Sequence, residues 1–61
     1  MKEYEVVLVQ ESSGKARVVR KEFDCWEAAR SYAHEICLED NRVVSCSIHK
    51  GENRCLVMDV L

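Results

Sequence analysis

Only one stretch of this chain repeats its apolar residues with the period of a helix, and it lies between two regions that read as strands. From Cys25 to Glu39, the residues Cys25, Ala29, Tyr32, Ala33 and Ile36 fall on one stripe, with Trp26 and Cys37 along its edge. Glu27, Ser31, His34, Glu35 and Leu38 point the other way. Before this stretch, Tyr4 to Gln10 and Ala16 to Phe23 are rich in β-branched residues and flank the turn sequence Ser12-Ser13-Gly14-Lys15. After it, Arg42 to Lys50 alternates, Lys50-Gly51-Glu52-Asn53 turns the chain, and Arg54 to Leu61 returns. One helix covers only one face of a sheet. The pattern therefore predicts an α+β fold of order ββαββ: a four-stranded, mainly antiparallel sheet with the helix packed on one face. Alternation assigns faces, not neighbours, so it leaves the strand order open.

The first hairpin's register follows from its apolar residues. Pairing Gln10 with Arg17, Leu8 with Val19, Val6 with Lys21 and Tyr4 with Phe23 gathers Tyr4, Val6, Leu8, Val19 and Phe23 on one face. A slip of one residue scatters them. Asp24 is expected to cap the helix, with Glu27 completing a capping-box pattern, and Asn41 to end it in a left-handed conformation. In the second hairpin, Val44, Cys46 and Ile48 are expected inward with Leu56 and Met58. Ser45, Ser47 and His49 then share the outer face with Cys55, Val57 and Asp59.

With 61 residues, the chain is read as a single domain spanning 1–61. It leaves little room for a deep substrate cleft. Cys25, Cys37, Cys46 and Cys55 show no CxxC spacing, so neither a zinc clip nor a disulfide scaffold is indicated. Free thiols acting as small hydrophobes are the expectation. A Cys46–Cys55 cross-strand pair, or a metal site drawing on His34 or His49, are the alternatives. No secretory signal and no apolar run of membrane-spanning length is seen, so a reducing cytoplasm is the expected location. No phosphate loop, HExxH, GxSxG or paired metal carboxylates occur. Cys46 and His49 fall on opposite faces of one strand, and Cys37 and His34 on opposite sides of the helix. A non-enzymatic protein without cofactor is expected.

The surface carries what remains. On the open sheet face, Val7, Val9 and Val18 form an apolar cluster suited to a partner or to a second copy of the chain. Charge is uneven although the total is only −2. Glu22, Asp24, Glu27, Glu35, Glu39 and Asp40 stand against Arg30 alone, giving −5 over that segment. Such a helix can dock through Glu27, Glu35, Glu39 and Asp40 on a basic groove, imitating phosphates. The second strand is basic, and Lys15, Arg17, Arg20 and Lys21 are the candidates for direct nucleic-acid contact. Four aromatics in total and a pI near 5.6 disfavour that alternative.

In its layout, a β-hairpin, the acidic helix DCWEAARSYAHEICLED and a second hairpin in one very short chain, the sequence resembles the small phage-encoded inhibitors of the anti-CRISPR type. The resemblance implies a protein that blocks a host nucleoprotein complex by occupying its nucleic-acid channel or a subunit surface. That group shares no functional motif, so it assigns no residue. The expected partner is thus a protein, in a host nucleic-acid-handling complex. A homodimer is a further expectation, and no membrane partner is expected.

Overall fold

A computed structural model describes residues 2–61. Its elements run β1 (Tyr4–Ser12), β2 (Lys15–Phe23), α1 (Trp26–Glu39), β3 (Val43–Lys50) and β4 (Cys55–Asp59). The fold is the expected α+β arrangement, with four antiparallel strands in one open sheet of order β2-β1-β3-β4. β1 and β2 pair in the predicted register, with Leu8 opposite Val19 and Tyr4 opposite Phe23. Their ladder reaches Ser12 and Lys15, so the turn narrows to Ser13 and Gly14. Both have positive φ, 54° and 77°, as a tight two-residue hairpin demands.

The chain then crosses by α1 to the far side of β1, where β3 pairs with it. β1 and β3 become the two central strands, and they supply every buried sheet residue: Val6 and Leu8, then Val43, Cys46 and Ile48. Ala29 and Ala33 meet them from α1 with no exposed surface, because a methyl group lets the helix lie close to the sheet. Removing Val6, Leu8 and Ile48 from water contributes about 1.5–3 kcal/mol each. Two aromatic pairs flank this seam, Tyr4 with Trp26 at 5.8 Å and Phe23 with Tyr32 at 5.3 Å between ring centroids. All four cysteines are free thiols. Burial, with Cys37 alongside, pushes the Cys46 thiol up to about 12.

Four local expectations are corrected. First, the helix N-cap is Cys25, in extended conformation and without a side-chain hydrogen bond, and it is exposed rather than part of the buried stripe. Asp24 instead lies 3.5 Å from Lys2, so no capping box forms. Second, α1 ends at Asp40 in extended conformation, and Asn41 is not left-handed. The Asp40 carboxylate substitutes for that cap by holding Arg42. The third and fourth corrections are both bulges. Between its pairings with Val9 and Gln10, β3 carries one extra residue, which makes Val44 54% exposed and puts Val43 into the core in its place. On β4, Leu56 and Val57 together face His49, so Leu56 is 57% exposed while Met58 stays half-buried opposite Ile48. In both cases alternation had placed the residue inside.

Candidate interaction surfaces

α1 packs on β3, β1 and β2 and leaves β4 uncovered among the described residues. Its buried stripe, centred on Ala29 and Ala33, turns Glu27, Ser31, His34, Glu35 and Leu38 outward, with Glu39 on the flank. All six are exposed. At about 1.5 Å per residue, Glu27 and Leu38 are roughly 16 Å apart along this ridge. Leu38 is 88% exposed, the most exposed of the large apolar side chains. Among the described residues no ion pair includes Glu27, Glu35 or Glu39. Glu35 and Glu39 lie one turn apart near the negative end of the helix dipole, and the last turn holds no basic residue.

Asp40, grouped with these glutamates by sequence, is occupied elsewhere. Its carboxylate accepts from Arg42 N at 2.9 Å, Arg42 Nε at 3.0 Å, Arg42 Nη2 at 3.1 Å and Gln10 Nε2 at 2.7 Å. The Arg42 hydrogen bonds lower its carboxyl to about 2. It anchors the end of α1 to β1 and to the start of β3.

The four basic residues of β2 do not form one patch. Lys15, Arg17 and Lys21 share the helix side of the sheet, and Lys21 sits 5.1 Å over the Tyr32 ring. Arg20 lies on the open side, 3.5 Å from Glu5. Lys15 and Arg17 instead meet Arg42, a residue the sequence reading did not single out, around a shallow depression of about 340 Å³ beside Gln10 and Ser12.

The open face reads as rows across the strands. Val18 is opposite Val9, and Val9 opposite Ser45. The next row is Arg20, Val7, Ser47 and Asp59, and the one after it Glu22, Glu5, His49 and Leu56. The bulges add Val44 and Leu56 to the side on which Val7, Val9, Val18 and Val57 were expected, so the apolar set there is Val7, Val9, Val18, Val44, Leu56 and Val57. A depression of about 280 Å³ runs over Glu5, Val7, Arg20, His49 and Arg54. His49 is fixed in it: Nδ1 lies 3.2 Å from the Arg54 carbonyl and Nε2 2.9 Å from Ser47 Oγ. A carbonyl only accepts, so the neutral ring carries its proton on Nδ1 and Nε2 accepts from the Ser47 hydroxyl. Sequence reasoning tested Cys–His pairs and missed this one, although Ser47 and His49 are two apart on one strand and must share a face. Among the described residues Glu5 Oε1 is buried without a hydrogen bond, and its ion-pair partner is Arg20 at 3.5 Å.

No group of three or more His, Cys, Asp or Glu side chains gathers as a metal site among the described residues, and no helix is long and apolar enough to cross a membrane. No protein family, curated protein or solved structure matches the chain.

Proposed function

We propose that this protein is a non-enzymatic protein–protein interaction module whose contact face is the outer face of α1. The observation that supports this is the make-up of the helix's second half. Glu35 and Glu39, in no ion pair among the described residues, stand near the end of the dipole that repels them, around a leucine that is 88% exposed. Each unfavourable placement costs about 0.3–1 kcal/mol, and the fold receives nothing for it. A basic surface with an apolar notch for Leu38 would turn the same arrangement into binding energy. The resemblance to small phage-encoded inhibitors suggests the kind of partner, a host nucleic-acid-handling complex whose basic channel the glutamates would fill. The alternative of direct nucleic-acid binding has weaker support, since Lys15, Arg17, Arg20 and Lys21 are split between two faces.

The test is affinity capture from host lysate, in nuclease-treated and untreated halves, with wild type and Glu27→Lys/Glu35→Lys. The expected result is a protein retained after nuclease by wild type and lost by the double variant, with unchanged circular dichroism. Leu38→Ala should weaken the same binding by about 1–3 kcal/mol. Capture indifferent to all three substitutions, or abolished by nuclease, sinks the helix reading.

A further inference from the structure

We propose that the corner of the sheet beside the β1–β2 turn is a binding site for a phosphate monoester, with Lys15, Arg17 and Arg42 holding its oxygens. The strand register brings these residues together. Lys15 is opposite Ser12 and Arg17 opposite Gln10, so all four side chains rise on the helix side of β1 and β2. Arg42, whose carbonyl accepts from Glu11 N at 2.9 Å, closes the third side from the entry to β3. α1 has ended by this point, at Glu39, and supplies none of the lining. The three cations surround the depression of about 340 Å³ together with Gln10, Ser12 and Ala16. Lys15 and Arg17 are exposed and take part in no ion pair among the described residues.

The hold on Arg42 separates this corner from a patch of solvated charge. Asp40 takes its guanidinium side-on, Oδ1 accepting from Nε at 3.0 Å and Oδ2 from Nη2 at 3.1 Å. That grip uses two of the five N–H donors of an arginine and leaves the other three on the outer end. The carboxylate is itself fixed by Gln10 Nε2 at 2.7 Å and Arg42 N at 2.9 Å, so the outer end is oriented before a ligand arrives. Three cations against the one carboxylate of Asp40 give the corner a charge of +2. A phosphate monoester near neutral pH carries nearly the opposite charge. Donors approach from β2, from Arg42 and from the Ser12 hydroxyl, three directions that three terminal phosphate oxygens can meet together and a flat carboxylate cannot. A nucleic-acid strand suits the corner less well, because its phosphates need cations along a track. The next basic residues of β2 are engaged elsewhere, Arg20 with Glu5 on the open face and Lys21 over the Tyr32 ring. Among the described residues no aromatic side chain lines the depression to stack a base.

Titration with inorganic phosphate, followed by amide shifts in NMR against sodium chloride of matched ionic strength, tests the site. Saturable shifts confined to Gln10–Arg17 and Asp40–Val43 are expected, with a dissociation constant on the order of 1 mM for the bare ion. Glycerol phosphate then separates the two sources of the group. Equal affinity means that the phosphate alone is read, and tighter binding that the depression also holds its carrier. Arg17→Gln, at an exposed position, should weaken phosphate binding at least about tenfold. Arg42→Lys keeps the charge but loses the side-on grip, and should weaken it as much, with circular dichroism showing that it folds. If Arg42→Lys does not fold, Arg17→Gln decides alone. Arg20→Gln, on the open face, should change nothing. Shifts that fail to saturate, equal losses in Arg17→Gln and Arg20→Gln, or a folded Arg42→Lys that binds like wild type overturn the proposal, leaving only diffuse surface charge. So does a thymidine oligonucleotide that binds more tightly per phosphate than glycerol phosphate. The inference stands apart from the helix reading: Arg17→Gln should keep any capture by the helix face, and Glu27→Lys/Glu35→Lys should keep phosphate binding.

Discussion

Arg42 donates to the Asp40 carboxylate from three nitrogens and Gln10 from a fourth, tying the helix end, the β3 entry and β1 to one side chain. Its folded carboxyl sits near 2 against 3.8 for an ordinary aspartate, with the Arg42 hydrogen bonds as the largest cause. On acidification the unfolded chain takes up this proton first. The stabilisation is complete above about pH 4 and disappears as pH falls toward 2. Asp40→Asn keeps the shape and removes the titration. Its melting temperature should lie below that of wild type at pH 7, and the gap should close between pH 4 and 2. A gap constant over that window would mean that the carboxylate charge contributes nothing. Little of this site was legible in the sequence. Asp40-Asn41 was correctly placed at the helix end, but a carboxylate's partners 30 residues away depend on the fold and not on spacing.

At the level of elements, α1 carries a conflict between its own stability and its surface. Glu35→Lys or Glu39→Lys removes a carboxylate from near the negative end of the dipole and breaks the like-charged pair one turn apart, and Glu39→Lys also supplies the basic residue the last turn lacks. Each variant should be more stable than wild type by about 0.3–1 kcal/mol in urea unfolding, while weakening capture of the partner. Gain in stability without loss of binding would make these glutamates ordinary solvated residues. The strands show how far pattern reaches. The β1–β2 register was readable because one residue of slip would put Val6 and Leu8 into water. The bulges at Val44 and Leu56 were not, since an extra residue breaks the two-residue period and leaves no mark in the composition around it.

Across the whole molecule, stability should fall away from the centre of the sheet. β1 is paired on both sides and lies beneath α1, whereas β4 is bonded to β3 alone and lies outside the helix's cover among the described residues. In native-state hydrogen exchange at low protein concentration, amides of β1 and the middle of β3 should be the last to exchange, through global unfolding, and those of β4 should exchange earlier by local opening. Equal protection in β1 and β4 would mean that the sheet opens as a single unit. The face pattern of this arrangement was present in the sequence, but its order was not. That β3 docks on β1 is decided by where one helix can lie over a twisted sheet, and α1 rests on the strands that join in the middle.

The central place of β1 also governs how the chain comes off the ribosome. Its hairpin with β2 closes in about 1–10 μs once both strands have emerged. Its other neighbour, β3, lies about 38 residues downstream, some 2–8 s of translation at ordinary elongation rates. For that interval Tyr4–Ser12 stands with one row of amides and carbonyls unpaired, and Val6 and Leu8 stay uncovered until α1, which precedes β3 in the chain, has been made. Nascent chains on neighbouring ribosomes can pair through that row, so high-level expression will depend on translation speed and chaperone supply more than on the stability of the finished fold.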